Sequence, residues 1–216
     1  MPLLLLIRHG LTETTGKRLT GQMPGIHLSE AGREQAERLV ERLRPIRLAA
    51  IYASTLERCV ETAEPLASGR RLEIRRVREL VDIHYGEWTG RSLKQVARSA
   101  RWRSVLSSPS TSRFPGGESF VDVQVRALAA AERIAGAHRR GAVAVFTHAD
   151  PIRLLLAYYA GSHLDSFERL VVQPASVSAV LIGTGVPRIV RVNDTGSLAD
   201  LNPQRRPRRP SGKVGG

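Results

Sequence analysis

The sequence predicts an α/β fold: a three-layer α/β/α sandwich around a central, mostly parallel sheet of about six strands. Three observations carry that expectation. Apolar runs of strand length alternate along the chain with helical patterns, the mark of a layered α/β architecture. The first run, Leu3-Leu4-Leu5-Leu6-Ile7, is apolar throughout, as a short buried strand should be. The chain has 216 residues, 42% hydrophobic and 25% charged, an ordinary globular composition. A chain of that length folds as one domain and buries about 70% of its unfolded surface.

The strands expected in order are Leu3–Ile7, Ala49–Ala53, Leu72–Arg76, Ala142–Thr147, Ser176–Ile182 and Arg188–Val192. Between the first two lies a helix. Ser29 is its N-cap, Ala36, Leu39, Val40 and Leu43 form one apolar stripe, and Pro45 stops it. A second helix is expected from about Thr55 to Ala67, with Leu56, Cys59, Val60, Ala63 and Ala67 inward. A third runs from about Glu118 to His138 on Phe120, Val123, Ala127, Ala130 and Ile134. A fourth starts with Asp150 as N-cap and Pro151 at the first helical position, and buries Ile152, Leu155, Leu156 and Tyr159. Ser99–Gly117, rich in Ser, Arg, Pro and Gly, reads as a loop over the sheet. No internal repeat is present. The domain is expected over residues 1–200, followed by a basic, disordered tail over 201–216.

The formal charge is +13, carried almost wholly by arginine, since Lys17, Lys94 and Lys213 are the only lysines. Such a field suits anionic ligands. The terminal stretch holds Arg205, Arg206, Arg208, Arg209 and Lys213 and no acid, so weak contact with nucleic acid is one reading and a solvated tail the other. The scarcity of aromatics, with no interleaving of aromatic and basic residues, argues against a base-stacking surface. Cys59 is the single cysteine, which excludes an intrachain disulfide and suits a reducing compartment. No signal-peptide pattern or membrane-length apolar run occurs, so a soluble cytoplasmic protein without membrane contact is expected. Oligomeric state is not legible, although a homodimer is the commonest assembly.

Four strand ends carry the candidate chemistry. The first run delivers Arg8-His9-Gly10, an obligate cation beside a side chain able to attack phosphorus. The second strand leads through Ser54 to Arg58, one turn into a helix; the third leads to Asp82, with Glu87 five residues on; the fourth ends at Thr147-His148. Ligands of open α/β sheets bind at the carboxyl ends of strands, and if these strands are parallel all four sites crowd one edge. Taken singly, Arg58 reads equally as a solvated helix residue, Asp82 as a turn residue and His148 as a satisfied strand-end histidine.

Taken together, these residues resemble the histidine phosphatase superfamily, also called phosphoglycerate mutase-like. The resemblance rests on Arg8-His9-Gly10, on Leu28 to Ala36 with Gly32 and Gln35, on Ser54-Thr55-Leu56-Glu57-Arg58 with Thr62-Ala63, on Leu80 to Gly90, on Pro115-Gly116-Gly117-Glu118-Ser119, and on Thr147-His148. It spans about residues 3–192 and points to the short phosphatase branch. It implies His9 as the nucleophile that takes the phosphoryl group, with Arg8, Arg58 and a protonated His148 around the phosphate. It implies Asp82 as the proton donor, with Glu87 as the rival. Thr20 and Gly21 would line the substrate mouth, and Thr15 and Ala149 would contact the substrate. Thr15 stands where the family often has Asn, and Ala149-Asp150 where it often has Gly-Gly or Gly-Asn. Asp150 is read as a helix cap whose charge also selects against highly anionic substrates.

The resemblance thus implies a phosphomonoesterase acting on a small phosphorylated metabolite through a phosphohistidine, with no metal or other cofactor. The alternatives are a phosphoglycerate-type phosphomutase and a non-catalytic phospholigand- or nucleic-acid-binding protein. Only 65 residues lie between Asp82 and His148, which favours the hydrolase, while Arg101, Arg103 and Arg113 in that stretch offer a second anion site. A zinc hydrolase on His9, His84 and His148 lacks a close-spaced ligand pair.

Overall fold

The computed structural model describes residues 1–138, 140–183 and 185–196. The expected tail, residues 201–216, lies outside them. Six strands form one sheet: β1 (Leu3–Arg8), β2 (Leu48–Ser54), β3 (Ile74–Val77), β4 (Ala142–Thr147), β5 (Val177–Leu181) and β6 (Arg188–Asp194), in the order β3-β2-β4-β1-β5-β6. The first four pair in parallel, whereas β5 runs antiparallel to both β1 and β6. The carboxyl ends of β1 to β4 therefore share one edge.

Strand β1 explains why its five apolar residues are consecutive. Leu3, Leu5 and Ile7 belong to one core layer, packed on α1 (Glu30–Leu43) and α2 (Glu57–Arg70). Leu4 and Leu6 belong to the other, packed on α5 (Phe120–Gly136) and α6 (Ala149–Tyr159). Both faces of the central strand are covered, so each side chain contributes about 1.5–3 kcal/mol of burial. The three layers are those expected.

Element boundaries differ from expectation in informative places. Helix α1 is capped as foreseen, with the Ser29 hydroxyl accepting from the Gly32 amide at 3.2 Å. Helix α2 starts at Glu57, two residues late, and runs on to Arg70, where Arg71 turns left-handed at φ 53°. Because Leu72 still donates to Ala67 of that helix end, β3 begins only at Ile74. Helix α6 starts at Ala149 with His148 as the N-cap residue, so Asp150 is not the cap. Pro151 is tolerated because amides of a first turn have no intrahelical partner.

Ser99–Gly117 is not simply a loop. Just before it a single turn, α3 (Leu93–Val96), is closed by a Ser92–Gln95 capping box; the stretch itself opens with α4 (Ala100–Ser107), capped by Ser99 accepting from Trp102 at 3.1 Å. A 3-10 turn spans Pro109–Thr111. Within the stretch the Ser99 cap outweighs the breaker-rich composition. These pieces form a third apolar cluster with Trp88, Val105, Phe114, Phe120 and Phe167 above the sheet edge. No helix of the described residues is long and apolar enough to cross a membrane.

Candidate active site

At the end of β1 the backbone is pinned. The His9 amide donates to Thr147 at 3.0 Å, joining the ends of β1 and β4. The Gly10 amide donates to the Thr62 hydroxyl at 3.0 Å, joining β1 to α2. Gly10 has no room for a side chain, since a Cβ there would lie 2.7 Å from the Gly32 carbonyl oxygen. The glycines of Arg8-His9-Gly10 and of the helix motif are thus one close backbone contact.

That contact also sets the tautomer of His9. Its Nδ1 lies 2.7 Å from the Gly10 carbonyl, which only accepts, so Nδ1 carries the proton and Nε2 keeps its lone pair. His9 is 6% exposed. Burial first, then Arg58 and Arg8, hold its pKa well below the usual histidine value, so the ring is neutral and nucleophilic at physiological pH.

Arg58 is 1% exposed and His148 fully buried. One Arg58 Nη donates to the Gly21 carbonyl at 2.7 Å and lies 3.6 Å from Asp82 Oδ2. The other Arg58 Nη and the Arg8 Nε are buried without a hydrogen-bond partner among the described residues. A buried charged donor left unpaired costs about 1–3 kcal/mol or more, and an anion in the site would satisfy both. Gly21 reaches its place at φ 48°, where a Cβ would meet the Ile83 carbonyl at 2.4 Å.

His148 Nε2 lies 2.9 Å from the Ser54 hydroxyl, its Nδ1 is 3.7 Å from Asp82 Oδ2, and its ring meets that of His9 edge-on at 5.2 Å. The expectation of a protonated His148 needs correction for the free protein. Burial first, then Arg58, His9 and Arg8, hold its pKa well below the ordinary value, and a cation there requires a bound anion. Asp82 has the opposite problem. Burial first and the Asp150 carboxylate second push its pKa up to about 6, against Arg58 and Arg8. A carboxyl near that value can hold a proton and give it away.

The cavity over these groups measures about 270 Å³, and Arg8, His9, Thr15, Thr20, Gly21, Asp82 and Ala149 all line it. Arg58 and His148 pack beneath, against Asp82 and His9. Thr15 has its hydroxyl engaged by the Thr12 amide at 3.0 Å and the Thr12 hydroxyl at 2.8 Å. Glu87 is exposed and outside the cavity lining, whereas Asp82 lies in it beside His9 and Arg8. Arg113 is tied to Asp122 at 2.7 Å, and Arg101 and Arg103 are exposed; Arg18 and Arg153 are the further cations lining the cavity. Among the described residues no three His, Cys, Asp or Glu side chains are grouped to hold a metal, and His84 is exposed.

One wall of the cavity escaped the sequence reading. Asp150, instead of capping α6, accepts from the Tyr85 hydroxyl at 3.2 Å and from Arg153 at 3.3 Å. Glu168 lines the same cavity. The spacing of Asp150 and Arg153, three apart on a helix, was a usable signal; Tyr85 and Glu168 come from distant segments and had none.

A family model described as the histidine phosphatase superfamily (branch 1) matches residues 4–195. The chain is 28% identical over 203 residues to phosphoserine phosphatase 1 of Hydrogenobacter thermophilus, covering 92% of this chain and 95% of that one. It is 33% identical over 161 residues to the metal-independent phosphoserine phosphatase of Arabidopsis thaliana, covering 70% and 66%. It superposes on the solved structure of Bacillus stearothermophilus YhfR with a TM-score of 0.85 at 31% identity, over 91% of this chain and 98% of that one.

Proposed function

The chain belongs to the histidine phosphatase superfamily and is a phosphoric monoester hydrolase, and on that footing we propose that it works without a metal, through a phosphohistidine, on a small phosphorylated metabolite. The observation that carries this reading is the pair of buried arginine nitrogens, without partners among the described residues, whose charges act on a neutral His9. They are donors preorganised for the equatorial oxygens of a phosphoryl group, where charge stabilisation and positioning do most of the catalysis.

In the first half-reaction His9 Nε2 attacks phosphorus and the bond to the ester oxygen breaks. Asp82 gives its proton to that oxygen, and the alcohol leaves. In the second, the Asp82 carboxylate takes a proton from water, the hydroxide attacks the phosphohistidine, and inorganic phosphate and free His9 result. Arg8, Arg58 and the His148 ring neutralise the phosphoryl charge throughout. His148 takes up a proton as the dianion arrives, because the anion reverses the field that keeps it neutral.

For the leaving group, the wall of Tyr85, Asp150, Arg153 and Glu168 sets carboxylates and a guanidinium side by side. Such a wall suits a leaving group carrying both an ammonium and a carboxylate, and phosphoserine, the substrate in the names of two relatives, is the first ester to offer. The test is phosphate release from phosphoserine and p-nitrophenyl phosphate in EDTA, wild type beside His9→Ala, with acid-labile, base-stable phosphate sought on the quenched protein. Turnover and a trapped phosphohistidine in wild type alone are expected. Release above blank from His9→Ala, or loss of activity in EDTA, refutes the mechanism.

A further inference from the structure

The segment that carries Asp82 is irregular, with only a 3-10 turn at Arg78–Leu80 before it. Four consecutive carbonyls of this segment nonetheless accept hydrogen bonds from side chains. Arg126, on α5, donates to Glu79 at 2.8 Å, to Val81 at 2.7 Å and to Asp82 at 2.8 Å. Thr147, the residue before His148, donates to Leu80 at 2.6 Å. Gln22 donates to the Asp82 carbonyl as well, at 2.9 Å. The remaining two bonds of the Arg126 guanidinium run to both oxygens of Glu118, at 2.8 and 2.9 Å. Glu118 in turn accepts from the His84 amide at 2.8 Å and from Gln22 at 3.2 Å.

We propose that Arg126 is a positioning residue for the proton donor: with Glu118 and Gln22 it clamps the backbone on both sides of Asp82 and registers the carboxyl against the phosphate-binding groups. The clamp reaches those groups by two routes. Gln22 follows Gly21 in the chain, and the Gly21 carbonyl holds Arg58. Thr147 joins the segment to the end of β4, where His148 stands. A guanidinium with all five donors used has one geometry, so it transmits the placement of α5 to the acid segment rigidly. Side chains replace the ladder that a strand would have provided. Among the described residues the Asp82 carboxylate accepts one hydrogen bond, from the Ile83 amide at 3.0 Å, with Arg58 and His148 farther off at 3.6 and 3.7 Å, so its aim depends largely on its backbone.

This inference rests on reading Asp82 as the general acid, and the experiment separates the two. A general acid matters most for poor leaving groups, and a displacement of about 1 Å in a reacting group costs about 10²-fold in rate. Arg126→Met is expected to lower kcat about 10²-fold on glycerol 2-phosphate and less than about tenfold on p-nitrophenyl phosphate. In an Asp82→Asn background the same change should cost almost nothing further, because a misplaced acid and a missing one are equivalent. Gln22→Leu, which withdraws a single donor from the Asp82 carbonyl, should show the same leaving-group bias at smaller size and keeps the test open if Arg126→Met does not fold. Equal slowing of both esters, or additivity with Asp82→Asn, overturns the positioning role while leaving the acid in place. Absence of leaving-group bias in Asp82→Asn alone overturns both.

Discussion

Replacing Asp82 with Asn should make the enzyme more stable while disabling it. The magnitude comes from the folded-state pKa. A carboxyl raised from 3.8 to about 6 binds its proton more tightly in the native protein than in the unfolded chain. Native protons then exceed unfolded ones between those two values, so this group's contribution to stability falls as pH rises from about 4 to about 6. Each pKa unit is worth about 1.4 kcal/mol, so ionised Asp82 destabilises the fold above pH 6 by up to about 3 kcal/mol. Asn keeps the oxygen that accepts from the Ile83 amide and removes the buried charge. The attraction to Arg58 at 3.6 Å is already contained in that pKa and is lost with the charge. Urea unfolding of both proteins at pH 4, 6 and 8 measures the difference directly. The variant should match wild type near pH 4 and exceed it by about 1–3 kcal/mol at pH 8. A variant equal to or weaker than wild type at pH 8 refutes the argument, because it would mean that Arg58 and Arg8 outweigh burial and that Asp82 is an ordinary ionised carboxylate. Activity supplies the second half of the test. Wild-type kcat/KM should decline through an alkaline limb near pH 6, where the free enzyme loses the donor proton, and Asp82→Asn should lack that limb.

Gly10→Ala should cost about 1–3 kcal/mol, since its Cβ overlaps the Gly32 carbonyl, and should lower kcat by displacing His9; a fully active variant with unchanged melting would show that the Gly10–Gly32 contact does not position the nucleophile. Orthovanadate at 100 times its dissociation constant should stabilise the wild type by about 2.7 kcal/mol, and Arg58→Met should bind it far more weakly. Equal vanadate affinity in the two proteins would place the anion elsewhere. Arg153→Ala is expected to raise KM for phosphoserine several-fold while leaving p-nitrophenyl phosphate almost untouched; parallel changes on both substrates would remove Arg153 from the leaving-group wall.

Much of the fold was legible because its signals are local. An unbroken apolar strand, apolar stripes at helical spacing and serine caps act within a few residues, and the elements they mark stand within two or three residues of where they were expected. The site residues at strand ends were legible for a related reason: a parallel sheet brings the ends of its strands to one edge, so the order of motifs along the chain predicts their meeting. The failures share a cause as well. Asp150 satisfies every local rule for a helix cap, yet its carboxylate turns to Tyr85 and Arg153, and the cap position falls to His148. Ser99–Gly117 reads as loop by composition, yet the Ser99 cap and the apolar cluster around Trp88 and Phe114 hold helix there.

By itself the sequence determined the layers, the parallel strands and the gathering of Arg8, His9, Asp82 and His148 at one sheet edge, because periodicity and motif spacing are properties of the chain. Only the tertiary structure decided the protonation of those groups and the aim of the acid. Neutral histidines and a proton-holding Asp82 arise from burial and from charges that no sequence distance brings together, and the Arg126 clamp joins residues 44 to 47 positions apart. Electrostatic energy depends on separation through space and on the water excluded between charges, and both quantities come into being only when the chain has folded.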